Sequence, residues 1–324
     1  VDTFIATSAV AMVTAGLFIS VFDLSYPAPH VAIIITIFSA LILMNGQYGK
    51  AEKIVKILVI VFSLLTLAAL LFALPILGSN DRPIFADVSI DLPLSLFVIA
   101  VAGWMPMPTN GAILFSKWVV EKRKLDQDNF NGEDAIRDFK VGYFLTLFLA
   151  VCFVIMGTAV LFETGREVPV TPPEFAAELF SVFTETIGKW SYPIIASAGL
   201  AVMWSTQIAL MDVMPRLTDR LAGVIMKRPA HLPDRYKLFS FIQVIGIIII
   251  LLFLLSSFKA FLYFATSVGL IAAPTIAYYN YLAITSEKIP TKYRPNKILI
   301  IWNWSCIFIM TLFAIGFVYT RIVM

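Results

Sequence analysis

The sequence predicts an all-α polytopic membrane protein, and three observations carry the prediction. Of 324 residues, 60% are hydrophobic and 14% are charged, where a soluble domain carries about 25% charged residues. Mean hydropathy is +0.88. Long apolar runs recur along the chain, and the basic residues between them alternate between crowded and sparse connections.

The runs are nine: 3–22, 24–49, 57–80, 92–116, 141–162, 190–211, 238–258, 260–286 and 298–320. A helix needs about 20 apolar residues to cross the hydrocarbon core. Barrel strands are about half as long and alternate polar with apolar, which these runs do not. Nine transmembrane helices are therefore expected.

Their direction follows from Lys and Arg. The connection after the first run holds none, and the next holds Lys50 and Lys53. Arg82 stands alone, and then 117–140 carries Lys117, Lys122, Arg123, Lys124, Arg137 and Lys140. After a sparse connection with Arg166 and Lys189, 213–237 is again basic, and the alternation continues to the end. Basic loops stay inside, so the amino terminus is expected in the cytoplasm and the carboxyl terminus outside. The net charge of +3 is a by-product of this bias, and no nucleic-acid partner is expected. The chain opens at Val1 inside an apolar run, with no signal-peptide pattern. Helices are expected to precede it.

No domain boundary is visible; 1–324 reads as one transmembrane domain. The stretch 117–140 and its Glu133–Asp134 pair read as solvated linker, and 213–237 as a basic loop. In 163–189, Thr171, Pro172 and Glu174 form a capping-box start. Phe175, Leu179, Phe183 and Ile187 follow at helical spacing, predicting an amphipathic helix on the outer surface. Cys152 and Cys306 lie within apolar runs without metal or disulfide spacing, and read as buried bulk.

The run at 92–116 is broken by Ala102-Gly103-Trp104-Met105-Pro106-Met107-Pro108-Thr109-Asn110-Gly111. Pro106 and Pro108 lack an N–H, so carbonyls near Ala102 and Trp104 lose their usual donors. In lipid such groups need another partner. A packing kink is one reading. Two prolines beside Thr109 and Asn110 point instead to an unwound functional segment, whose freed carbonyls suit a cation. Met105 and Met107 add soft sulfur, which favours first-row transition metals over magnesium or calcium.

Other intramembrane polar residues are few. Ser205, Thr206 and Gln207 lie deep in one run, with Asp212 towards its cytoplasmic end. Gln243, Asn280, Asn45 and Gln47 complete the set, and Pro274 interrupts the run that holds Asn280. Ionisable residues in spans are functional candidates, and Asp212 leads them. Arg216, one turn on, offers an interfacial ion pair as the competing reading. The hydroxyls and amides also suit interhelical hydrogen bonds. His30 and His231 lie near span ends and suggest no proton relay. No nucleotide cradle, nucleophile elbow or acid–histidine pairing is present, and no enzymatic activity is expected.

The broken stretch resembles the unwound sixth helix of the natural resistance-associated macrophage protein (Nramp) family of divalent-metal transporters. The family pattern of alanine, two residues, then Met-Pro reads here Ala102-Gly103-Trp104-Met105-Pro106. The chain is most similar to a divergent bacterial branch with a Gly-Trp-Met-Pro-x-Pro signature. "RDFKVGY" at 137–143, "IGKWSYPIIA" running into "STQIALMD", and "FATSVGLIAAPTIAYYNYLA" at 264–283 extend the likeness over nearly the whole chain.

The resemblance implies the inverted-repeat transporter fold of five plus five helices, of the amino acid–polyamine–organocation superfamily. Residues 1–80 would hold the last three helices of the first repeat, 92–286 the second repeat, and 298–320 an extra helix. Two helices would precede Val1. The metal would be held by the Met105 sulfur and the Ala102 carbonyl, with an aspartate and an asparagine from an Asp-Pro-Gly-Asn segment that this chain does not contain. Met107 stands where the family usually has histidine, and Asn110 where the branch often has aspartate. Met107, Thr109, Asn110, Gln207, Asp212 and Asn280 are the candidates for a substrate or proton path.

The expected function is proton-linked transport of a divalent transition-metal ion such as manganese or iron, by alternating access around 102–110, in a bacterial inner membrane. The metal is cargo, and no cofactor is expected. Two readings compete: a transporter of the same fold for an amino acid or other organic solute, and a non-transporting membrane scaffold.

Overall fold

The computed structural model describes residues 2–44, 48–76, 98, 111–125, 131–162, 171–227, 235–254 and 258–323. They form ten α-helices: α1 Asp2–Phe22, α2 Ala28–Met44, α3 Tyr48–Ala73, α4 Gly111–Leu125, α5 Gly132–Gly157, α6 Pro172–Ile187, α7 Tyr192–Ile225, α8 Tyr236–Ile249, α9 Phe258–Thr285 and α10 Lys297–Val323. One wider π-type turn extends α5 through Phe162 and another extends α8 through Leu254. No strand occurs among the described residues.

Six helical stretches are long and apolar enough to cross a membrane: Phe4–Phe22, Gly132–Val160, Lys189–Ile225, Tyr236–Phe253, Tyr263–Thr285 and Lys297–Thr320. Three shorter apolar helices, Ala28–Met44, Val59–Ala73 and Gly111–Val120, overlap the second, third and fourth apolar runs. The chain is a multi-pass α-helical membrane protein.

The helices divide between two compact units, Val1–Asp87 with Lys140–Phe261, and Val88–Phe139 with Leu262–Met324. In the first unit α1 is the centre, packed against α2, α6, α7 and α8. Of its apolar stretch 61% is buried, against 11% for the stretches in α9 and α10. Hydrocarbon tails are as apolar as leucine, so lipid gives no hydrophobic drive to helix pairing; close backbone approach does that work. The residues of α1 suit the role: Thr7, Ser8, Ala9, Ala11, Thr14 and Ala15 are all buried. At Gly16 the approach is closest, because an added Cβ would stand 2.4 Å from the Pro172 carbonyl oxygen at the start of α6.

Around this centre Leu17, Met156, Phe180, Phe183, Ile195 and their neighbours form the core. Phe62 on α3, Phe153 on α5 and Phe183 on α6 meet with ring centroids 5.7–6.1 Å apart, the spacing of favourable aromatic pairs.

α6 corrects the surface-helix expectation. It forms where expected, with Pro172 in its first turn, but Thr171 makes no side-chain capping bond. Its buried residues are Pro172, Ala176, Phe180, Val182 and Phe183; of the expected Phe175, Leu179, Phe183 and Ile187 stripe, Phe183 is buried and the other three are half-buried. The helix packs into protein with α1 and α3. Glu174 and Glu185 stay exposed on the side of the helix opposite Phe183.

Two presumed loops are largely helix. α7 continues through Pro215 to Ile225, into the stretch read as basic loop. The presumed linker before α5 contains a reciprocal cap. Asn131 Oδ1 accepts from the N–H groups of Glu133 and Asp134, and Asp134 Oδ2 accepts from the Asn131 N–H. The acids there serve a helix start, where negative charge is favoured.

In the second unit, Lys122 on α4 pairs with Asp138 on α5 at 2.7 Å, and Phe115 meets Phe139. Lys292, before α10, pairs with Glu133, which holds that ammonium above the usual lysine range. Tyr278 and Tyr281 on α9 bracket Trp304 on α10. Cys152 is buried as expected, whereas Cys306 is exposed, since α10 buries little beyond Ile307, Ala314 and Phe317.

The glycine contacts generate a graded prediction. Gly16→Ala drives a methyl into rigid backbone and is expected to destabilise by about 1–3 kcal/mol. Gly246→Ala meets only the Phe4 ring edge, at 2.5 Å, which can turn aside, and costs less. Gly142→Ala meets nothing within 4 Å and gains helix propensity of up to about 1 kcal/mol. Thermal unfolding in detergent reads all three; equal midpoints for the Gly16 and Gly142 variants would contradict the close α1–α6 approach.

Candidate functional site

The broken stretch with Ala102, Met105, Met107, Thr109 and Asn110 lies outside the described residues, as do Asn45, Gln47 and His231. α4 starts at Gly111, the last residue of the motif. Three candidates remain to be placed: Gln207, Asp212 and Asn280.

Gln207 is fully buried on α7. It lies 15 residues beyond Tyr192, or about 22 Å along the axis at 1.5 Å per residue, well inside a core about 30 Å thick. Its Nε2 donates to Thr36 Oγ1 on α2 at 2.9 Å. One turn earlier, Trp204 Nε1 donates to Ser39 Oγ, also at 2.9 Å. As the partner on α7 advances by three, that on α2 recedes by three, so the helices run antiparallel in one register.

Proton accounting fixes the amide. The Thr36 hydroxyl donates to the Ala32 carbonyl and the Ser39 hydroxyl to the Ile35 carbonyl. A hydroxyl has one hydrogen, so both can only accept from α7. The Gln207 NH₂ must face Thr36, and Oε1 turns away. That oxygen is buried and has no hydrogen-bond partner among the described residues.

A second bridge joins α8 to α1. Gln243 Nε2 donates to Thr7 Oγ1 at 3.3 Å, and Gln243 Oε1 and Ser8 Oγ are buried without a partner among the described residues. Ser205 and Thr206, by contrast, bond back to the Val202 carbonyl of their own helix.

Asp212 has a different setting. Arg216 donates to Oδ1 through Nη2 at 2.8 Å and through Nε at 3.1 Å, and the Tyr236 hydroxyl donates to the same oxygen at 3.0 Å. The guanidinium also lies over the Tyr236 ring, 4.5 Å from its centroid. Asp212 is 20 residues beyond Tyr192, about 30 Å along α7, the far boundary of a core entered at Tyr192. Its charge is matched by Arg216 at the interface, and Tyr236 ties that end of α7 to α8.

Asn280 is half-buried on α9, six residues after Pro274, which the helix accommodates without ending. It belongs to the second unit, whereas Gln207 and Asp212 belong to the first.

Sequence reading singled out the two glutamines but not their partners. Thr36 and Ser39, spaced by three in "IIITIFSALI", and Trp204, three before Gln207, share a helix face at that spacing. That pattern was the available signal.

Comparison with known proteins bears on this arrangement as a whole. The chain is 28% identical over 284 residues to an uncharacterized protein of Pasteurella multocida (strain Pm70), an alignment that covers 86% of this chain and 64% of that relative. The chain thus spans just under two thirds of the relative's length. The family model for natural resistance-associated macrophage protein-like proteins matches residues 2–320, a range that takes in the Met105-Pro106 motif, both glutamine bridges and α10. On that match, the chain belongs to the Nramp family.

Proposed function

We propose that this chain functions in a secondary transporter for divalent transition-metal ions of the manganese and iron kind. The observation that carries the reading is a family match over nearly the whole chain in a sequence that keeps Ala102 and Met105-Pro106. Ala102 contributes a carbonyl freed by Pro106, and Met105 contributes a thioether. The sulfur discriminates: it gains little from calcium or magnesium and more from softer ions. Met107, Thr109 and Asn110 line the path beside them.

The mechanism is alternating access around 102–110, with 1–80 and 92–286 as the two repeats and 298–320 outside them. Import is proton-linked. The membrane is a bacterial inner membrane, with the amino terminus in the cytoplasm and the carboxyl terminus outside. Gln207 and Asn280 are polar stations on the path. Asp212 serves at its cytoplasmic end, where release of Arg216 would free a carboxylate.

A second reading, transport of a neutral or zwitterionic organic solute, draws support from the chemistry of the buried groups. Among the described residues, every buried polar side chain is a neutral hydroxyl or amide. Such groups hydrogen-bond a solute without offsetting a double charge.

Uptake by the full-length protein in vesicles separates the two. Met105→Ala is expected to reduce manganese uptake and to erase most of the preference for manganese over calcium, a change of roughly tenfold or more, equivalent to about 1.4 kcal/mol of site selectivity. Unchanged selectivity would remove Met105 from the site, and manganese-independent transport of an amino acid would install the second reading.

The Gln207 bridge yields a further expectation. Thr36→Val strands the amide and is expected to cost about 1–2 kcal/mol of stability. Gln207→Leu removes the orphaned oxygen along with the bridge, so it is expected to keep near-normal stability and lose uptake. Normal uptake in that variant would reduce Gln207 to a structural contact.

A further inference from the structure

We propose that the corner between α7 and α8 is a binding site for the headgroup of an anionic phospholipid. A cleft of about 470 Å³ opens there, lined by Arg216, Arg235, Tyr236, Lys237 and Leu238. Three cationic side chains converge on it. Arg216 is matched by Asp212 at 2.8 Å, and the Tyr236 hydroxyl engages the same carboxylate. That acid is therefore spent locally and does not cancel the other two charges. Arg235 and Lys237 are exposed, and neither pairs with a carboxylate among the described residues. Among its lining residues the cleft thus holds two cations, Arg235 and Lys237, beyond the Arg216–Asp212 pair.

Depth and shape select the ligand. The apolar stretch of α8 runs from Tyr236 to Phe253, so Arg235 and Lys237 flank its first residue, at the level of lipid phosphates. Below the cleft, Leu238, Phe241, Ile242, Ile245 and Ile249 are exposed. Their spacing of three and four puts them on one face of α8. Leu238 belongs both to the cleft and to this stripe. A cationic pocket that continues into an exposed apolar stripe fits an amphiphile, with its phosphate among the cations and an acyl chain along the helix. A soluble phosphate would use the pocket and leave the stripe idle. A choline headgroup would bring its own cation against Arg235 and Lys237, which favours phosphatidylglycerol over phosphatidylcholine. Basic corners of this kind at membrane-helix ends bind acidic headgroups.

The test is lipid binding by the full chain in detergent, read as the thermal shift on titration with phosphatidylglycerol, phosphatidylcholine or inorganic phosphate, and as lipid retained in native mass spectra. Phosphatidylglycerol is expected to stabilise the protein and to be retained, while the other two are not. Each cation contributes about fivefold, so Arg235→Gln with Lys237→Gln weakens phosphatidylglycerol binding roughly 30-fold. Lys288→Gln, an exposed cation elsewhere, leaves it unchanged. Should the double variant fail to fold, Lys237→Gln alone is expected to show the fivefold loss. Equal binding of the two lipids, undiminished binding by the cation variants, or full stabilisation by inorganic phosphate alone would each overturn the proposal.

Discussion

Inside a membrane a polar group cannot fall back on water, and the first unit is organised by that constraint. Each buried hydroxyl on α2 spends its one hydrogen on its own helix and then accepts from α7. The two bridges lie one turn apart on both helices. Sliding either helix by a single residue would strand the Trp204 N–H and the Gln207 amide together. The register of α2 against α7 is therefore set by donor count as much as by shape. The Gln243–Thr7 bridge does the same for α8 against α1, and Gly246 admits Phe4 one turn further along. Individually such bonds are modest in membranes. Their value is specificity, since the alternatives leave unpaired groups in hydrocarbon.

Small residues supply the other half of the organisation. α1 carries its polar and small side chains inward, where leucine would hold neighbouring helices apart. At Gly16 the backbone of α6 comes within the space a methyl would need. On the same helix Phe180 and Phe183 join the core. Away from α1 the economy reverses. α10 exposes Ile298, Trp302, Phe308 and Ile315, residues suited to lipid contact.

Much of this was legible in the sequence, and the failures have identifiable physics. Apolar run length located the six helices long and apolar enough to cross a membrane, because desolvated backbone admits only helices at that length. The end of α7 was missed because charge, not helix geometry, was read as its boundary; the helix carries Arg216 and Arg220 and continues to Ile225. The cap at Asn131 was hidden by its acidic neighbours, which look like linker until Asp134 is seen to reach back to the Asn131 N–H. The face of α6 was legible in part: Phe183 is buried as the spacing has it, but Ala176 and Phe180 are buried ahead of Phe175 and Leu179, because periodicity alone cannot tell which of two overlapping apolar stripes meets protein. For the candidate site, Asp212 beside Arg216 was legible as an ion pair from the four-residue spacing. The contribution of Tyr236, 24 residues away, was not, because it depends on α8 returning beside α7.

The charge distribution constrains how any cation could cross. The buried polar set among the described residues is neutral throughout, and Asp138, Asp212 and Glu133 are paired with bases. A doubly charged ion gains little from amides and hydroxyls relative to the water it gives up, because its desolvation cost rises with the square of its charge while neutral dipoles repay it only linearly. Under the proposed function, carbonyls without a donor beside Pro106 and Pro108, together with the Met105 sulfur, would supply identity better than they supply charge. Under the proposed function selectivity and charge compensation are separable: the Met105 thioether would discriminate among metal ions, while the compensating charge would come from another group.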